Sequence, residues 1–233
     1  MNYNNVMFFD FETVAKTGEK AYNPIQAEPI QLAAKMIHPR RLEVIQGSEF
    51  KRYICPPFPK EEIDQEVLNW HCKQTGKTAD ELTTLWYDAP SQKQVWTEFI
   101  DYIDRYHKKT DRKSIHSAPI LAGQNIIKFD NVIFDRLCVR HGFVGSDGKQ
   151  NIYRDNNCVD TMFLLWPWFE NNPEVNSLSM DKLRPYFGIS AENAHDANKD
   201  IEDGINILCR FLRFHRRICE KTSFKGSFAY GDH

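Results

Sequence analysis

The 233-residue chain is 41% hydrophobic and 27% charged, the balance of an ordinary globular protein, and it is long enough for one core. Its 30 Lys and Arg against 32 Asp and Glu leave a net charge of −2, which excludes a global attraction for nucleic acid. A polyanion would have to be held by a local basic patch or by metal ions. The six cysteines form no C-x-x-C pair and suggest neither a disulfide framework nor a zinc site. Free thiols point to a reducing cytosol, no signal peptide precedes Val6, and no apolar run approaches the ~18 residues of a membrane span. A cytoplasmic location is expected.

The first apolar run, Val6-Met7-Phe8-Phe9-Asp10-Phe11-Glu12-Thr13, has β propensity and no turn residue, which predicts a strand. Alternation sends Asp10 and Glu12 out on one face, about 7 Å apart, and Phe11 into the core on the other. Two carboxylates so placed repel each other and lose solvation in a sheet. A divalent cation between them, Mg²⁺ or Mn²⁺, removes both penalties; the plainer alternative is a strand end running into solvent.

Residues 15–29 read as a polar loop, 30–37 as a second strand stopped by His38-Pro39, and 50–55 as a third ending at Pro56-Pro57. The three strands together suggest an antiparallel meander. Over 59–88 the period becomes helical: Ile63, Val67, Leu68 and Trp70 share one side, and Leu82, Leu85 and Trp86 mark a further short helix. Trp70 and His71 invite a base-stacking reading, against which Trp70 is equally a core anchor. Ser91 caps a helix carrying Val95, Phe99, Ile100, Ile103 and Tyr106, and a basic loop follows at 105–113.

A buried strand is predicted at 118–123 and leads through Asn125 to Asp130, which sits in the first turn of a helix that stops at Gly142. A polar loop at 144–157 precedes a short strand at 158–161, a helical segment with Leu164, Leu165 and Trp166, and a short helix from 177 to near Gly188. The last helix begins at 193–196 and runs to about 219. Its wide apolar face, with Ile201, Ile205, Leu208 and Leu212, implies packing on the sheet. Residues 1–221 thus make one α/β domain with a mixed sheet of about five strands flanked by helices and an inserted helical segment at about 59–88; 222–233 form a polar, flexible tail.

Two more stations join Asp10 and Glu12. Asp130 can project over the same sheet edge, and Ala194-His195-Asp196-Ala197-Asn198-Lys199-Asp200 opens the last helix. Asp196 reads as the helix N-cap, with an Asp196–Asp200 pair as the alternative metal-holding arrangement. Asp135, Asp160, Asp203, His141 and His215 read as structural.

At this point the chain resembles a known family. Phe9-Asp10-Phe11-Glu12-Thr13, Asn125-x-x-x-Phe129-Asp130 and His195-x-x-x-x-Asp200 look like the three motifs of the DEDDh (DnaQ-like) 3′→5′ exonucleases, which have the RNase H-like fold. The order and spacing of the motifs fit over residues 5–217, and Val159-Asp160-Thr161 is similar to a segment common in the family. The helix around Trp70-His71-Cys72-Lys73-Gln74 is reminiscent of the phage-type exodeoxyribonucleases.

The resemblance implies a hydrolase that shortens single-stranded 3′ ends to nucleoside 5′-monophosphates with two Mg²⁺ or Mn²⁺ ions about 3.5–4 Å apart. It implies that Asp10 bridges both ions, that Glu12 and Asp200 complete the site of the attacking water, and that Asp130 supports the second ion. His195 is the implied general base, its ordinary pKa of about 6.5 suiting proton removal near neutrality. Thr13 and its backbone amide, with Asn125, would grip the terminal nucleotide. DNA is favoured over RNA as the single-stranded partner on the 70–74 analogy; an exoribonuclease, or a nuclease-fold binding module without turnover, are the alternatives. The basic run at 105–113 and Arg210, Arg213, Arg216 and Arg217 are candidate backbone-tracking groups.

Overall fold

The computed structural model describes residues 4–108, 114–154, 156–192 and 196–222. Its centre is β1 (Val6–Val14), paired antiparallel with β2 (Glu28–His38). The far edge of β2 takes both β3 (Glu43–Val44) and β4 (Phe50–Tyr53), again antiparallel. On the other side of β1 lie β5 (Ile120–Gly123) and then β6 (Cys158–Asp160), both parallel. The sheet is therefore mixed and six-stranded in the order β3-β2-β1-β5-β6, with β4 also on β2. The expected meander is present, and β3 is the strand beyond those expected: two residues are too few to produce a periodic pattern.

The helices are α1 (Gln65–Thr75), α2 (Ala79–Tyr87), α3 (Gln92–Arg105), α4 (Asp130–His141), α5 (Thr161–Phe169), α6 (Met180–Tyr186) and α7 (Ala197–Lys221). Side-chain alternation along β1 decides which helices cover which face. Met7, Phe9 and Phe11 enter a core with Val95 and Phe99 of α3 and with Ile133 and Phe134 of α4. Phe8 enters the opposite core with Ala33 and Ile37 of β2 and with Ile201, Ile205 and Leu208 of α7. By the same parity Asp10 and Glu12 face α7. Gly204, about a third of the way along α7, sits against the Phe8 ring, where any Cβ would collide with it, so the helix can approach β1 closely only because this residue lacks a side chain.

The inserted segment has a core of its own, in which Val14 and Ile30 meet Ile63, Leu68, Leu82 and Trp86. The anchor is Trp86, 2% exposed, whereas Trp70 is 42% exposed. Leu68 and His71, three apart on α1, form the inward face instead. His71 Nε2 lies 2.9 Å from the carbonyl oxygen of Thr13, so this histidine ties α1 to β1.

Three of the four arginines of α7 are structural ties. Arg210 donates to the carbonyl of Phe187, Arg213 to that of Leu42, and Arg216 to those of Arg40 and Pro39. Arg105, at the start of the basic run, lies 5.8 Å from the Tyr102 ring centroid; residues 109–113 of that run, and 223–233 of the tail, lie outside the described residues. All six cysteines carry free thiols. No described helix is long and apolar enough to cross a membrane.

Candidate active site

Three carboxylates meet where β1 passes under the start of α7. One ligand oxygen from each of Asp10, Glu12 and Asp200 falls within 4.8 Å of the others. The sheet supplies the first two by parity. The third depends on where α7 begins, and that is pinned by Asp196. Its carboxylate caps the helix by accepting the amides of Asn198 (3.0 Å) and Lys199 (3.3 Å). It also accepts Lys51 Nζ of β4 at 2.8 Å and Gln31 Nε2 of β2 at 3.4 Å, and Gln31 Oε1 in turn accepts the amide of Ala197. Asp196 therefore serves the helix start, and Asp200, one turn on, serves the site. Lys51 outweighs the effect of burial and holds the Asp196 carboxyl below its ordinary range.

Asp130 reaches the same place from the other side of β1. The β1–β5 ladder ends at Phe8–Ala122 while β1 runs on to Val14, so an amide on that edge needs another acceptor. Asp130, buried at the first residue of α4, accepts the Phe11 amide at 3.1 Å. The loop before it is held by Asp160, the N-cap of α5. Its carboxylate accepts the amides of Asn125, Ile127 and Met162 at 2.9–3.2 Å. This clasp fixes Asn125 in a left-handed conformation (φ 56°) beside Asp130.

These positions are electrostatically expensive. Burial, followed by repulsion from Asp130, Glu12 and Asp200, drives the Asp10 carboxyl well above its usual range, while Arg184 acts in the opposite sense. Glu12 is raised by burial and then by Asp200, Asp196 and Asp130. Burial lifts Asp130 to about 7 against the lowering effect of its backbone hydrogen bonds. An all-oxygen donor set with uncompensated negative charge fits a hard divalent cation such as Mg²⁺ or Mn²⁺, which Asp10, Glu12 and Asp200 would hold.

The structure thus brings together Asp10, Glu12 and Asp200; Asp130 lies outside that group of three, near enough to repel Asp10 and Glu12, and spends one oxygen on the Phe11 amide. His195 lies outside the described residues. Thr13 stands at a β-bulge next to Glu12, and its hydroxyl donates to the Ala21 carbonyl at 3.1 Å. A cleft of about 490 Å³ opens beside Glu12, walled by β2, β4, the start of α7 and the inserted helices; Lys51, Tyr53, Gln74, Lys77 and Lys199 line it.

Arg184 had no signal in the sequence reading. It is 1% exposed, and its guanidinium donates to Asp200 Oδ1 at 2.5 Å, Asp203 Oδ2 at 2.7 Å and Asp181 Oδ1 at 3.4 Å. Gly204 was equally silent, although a glycine inside an apolar helix face is itself a sign of close backbone approach.

Comparison with known proteins agrees with this architecture. No protein-family model and no curated protein sequence matches the chain. Among solved structures, it superposes on E. coli Exonuclease I in complex with a dT13 oligonucleotide with a TM-score of 0.65 at 20% identity, over 94% of this chain and 43% of that one. Exonuclease I from Methylocaldum szegediense gives 0.63 at 19% identity, over 91% and 40%. A 3′-exonuclease solved for its recognition of the histone mRNA stem-loop gives 0.59 at 16%, over 91% and 83%. The fold is therefore shared with these exonuclease structures, and the chain spans less than half the length of the Exonuclease I structures it resembles.

Proposed function

We propose that this chain is a divalent-metal-dependent 3′→5′ exonuclease that releases nucleoside 5′-monophosphates from single-stranded DNA ends. The observation that carries this is the convergence of Asp10, Glu12 and Asp200, from the first strand and the last described helix, within 4.8 Å, on a fold shared with exonucleases. Two bound Mg²⁺ or Mn²⁺ ions would neutralise the phosphoryl oxygens and ease ionisation of the attacking water. Asp10, Glu12 and Asp200 would hold the ions, with Asp130 in support. His195 removes the proton from the water. Asn125 and the backbone amide of Thr13 orient the terminal nucleotide. The cleft beside Glu12 would receive it, with Lys77 on its wall.

Incubation with 5′-labelled single-stranded DNA and Mg²⁺ tests the reading. Progressive shortening from the 3′ end is expected with the wild type and none with Asp10→Ala; an inert wild type, or an active Asp10→Ala, refutes it. His195→Ala is expected to lose rate by roughly 10²-fold or more while keeping cation binding.

RNA is the second reading, favoured by the likeness to the exonuclease solved with histone mRNA in view. Matched DNA and RNA oligonucleotides in parallel decide between them. A binding module without turnover is disfavoured because Asp10, Glu12, Asp130, His195 and Asp200 are all present in the chain.

A further inference from the structure

We propose that Arg184 is a positioning residue for Asp200: its buried guanidinium, locked by Asp203, fixes the rotation of the Asp200 carboxylate within the group formed with Asp10 and Glu12. The inference rests on the exonuclease reading for its rate measurement alone.

The argument starts from the cost of burial. A guanidinium that is 1% exposed has given up its hydration, a loss that only well-placed carboxylates offset. Here Asp200 and Asp203, three residues apart on one side of α7, meet it at 2.5 and 2.7 Å, and Asp181 from its own helix at 3.4 Å. Asp203 is itself buried and takes a second ion pair from Lys199 Nζ at 2.5 Å. A chain of charges therefore runs Lys199–Asp203–Arg184–Asp200 and ends on a carboxylate of the cluster.

The geometry separates the roles of the two acids. Asp203 is turned to Arg184 and lies outside the group of three, so it serves as the lock. Asp200 belongs to both the ion pair and the group. An aspartate has a broad, two-fold terminal torsion, and one oxygen held by Nη2 of a guanidinium whose Nε is itself held by Asp203 restricts it. The donor comes from a separate element: Leu183, beside Arg184 on α6, is fully buried against Ile207 and Phe211 of α7. Lysine would supply a single point charge and no fork. The same guanidinium also tempers the repulsion felt by Asp10.

Removing Arg184 alone would leave the buried Asp203 with Lys199 as its one remaining ion-pair partner, so the main test is the paired variant Arg184→Met with Asp203→Leu, which removes both ends of the lock at similar volume. Thermal unfolding certifies the fold, calorimetric Mn²⁺ titration of the metal-free protein reads the site directly, and kcat and KM are taken on a labelled oligonucleotide. The expected result is a Mn²⁺ dissociation constant weaker by about 10- to 100-fold and a comparable fall in kcat, with KM for the oligonucleotide within about 2-fold. Arg184→Lys, which keeps the charge and secures folding if the pair does not, is expected to recover part of both losses. A folded paired variant, or failing that a folded Arg184→Lys, with wild-type Mn²⁺ affinity and kcat overturns the proposal. A wild type that binds Mn²⁺ but cuts no nucleic acid overturns the exonuclease reading, while the titration still decides the role of Arg184.

Discussion

Gly204 and Phe8 touch with no room for a side chain between them: a Cβ on the glycine would lie 2.3 Å from the ring Cζ. The contact sets the distance between α7 and β1, and Asp200 stands one turn before it. Gly204→Ala must therefore push the ring or the helix aside, at about 1–3 kcal/mol for overpacking. The expected outcome is a lower Tm together with weaker Mn²⁺ binding in the same variant. Native values for both would show that the ring yields and the helix does not.

Asp10→Asn is expected to act in opposite directions on stability and on function. It removes one of several mutually repelling carboxylates, so the metal-free protein should gain Tm. The rise in Tm that Mn²⁺ gives the wild type through binding to the folded state should shrink or vanish. Scanning unfolding with and without Mn²⁺ reads both effects, and a metal-free Tm below that of the wild type contradicts the electrostatic account.

The pH dependence of the metal-free protein follows from Asp130, raised from 3.8 to about 7 by burial. The folded state holds this proton more tightly than the unfolded chain does. The associated stability is fully present below about pH 4 and is lost as pH rises through 7. Tm measured in chelator should fall between pH 5 and 8, and saturating Mn²⁺, which binds the ionised cluster, should flatten the profile. A chelated protein whose Tm climbs over that range would refute the assignment.

Glu28 behaves in the reverse sense. It is buried at the start of β2, yet Arg140, Gln92 and Arg136 overcome the effect of burial and hold it below the ordinary carboxylate range. Its contribution is present above the ordinary value and lost as pH falls through the folded one. Glu28→Gln leaves two half-covered guanidiniums without their acid and is expected to cost about 3 kcal/mol or more. Denaturant unfolding at pH 7 measures this, with kcat of the folded fraction unchanged.

Asp160→Ala removes both a helix cap and the tether of the Asn125 loop. A stability loss of about 1–2 kcal/mol is expected from the cap alone. If Asn125 orients the terminal nucleotide, KM for the oligonucleotide should rise while Mn²⁺ affinity holds. Unchanged KM would remove Asn125 from substrate binding.

Much of the site was legible in the sequence because its parts obey local rules. Period two along β1 separates Asp10 and Glu12 from Phe11, and the N-cap preference of Asp196 distinguishes it from Asp200. What escaped depends on long-range pairing. Arg184 finds its acids 16 and 19 residues away on another helix, and nothing in the seven-residue α6 announces that. Trp70 and Trp86 differ in burial only through the phase of two short helices, which composition does not resolve. The Thr13 hydroxyl donates to the Ala21 carbonyl because the polar loop folds back over the end of β1, a contact that no local pattern announces.

The order in which the acids appear along the chain has a consequence for biosynthesis. Asp10 and Glu12 leave the ribosome well before Asp200, and the cluster is completed only when α7, the last described helix, docks on β1. If the cluster is the nuclease centre, a nascent chain is inert toward the nucleic acid around it until nearly all of the domain has been made and packed.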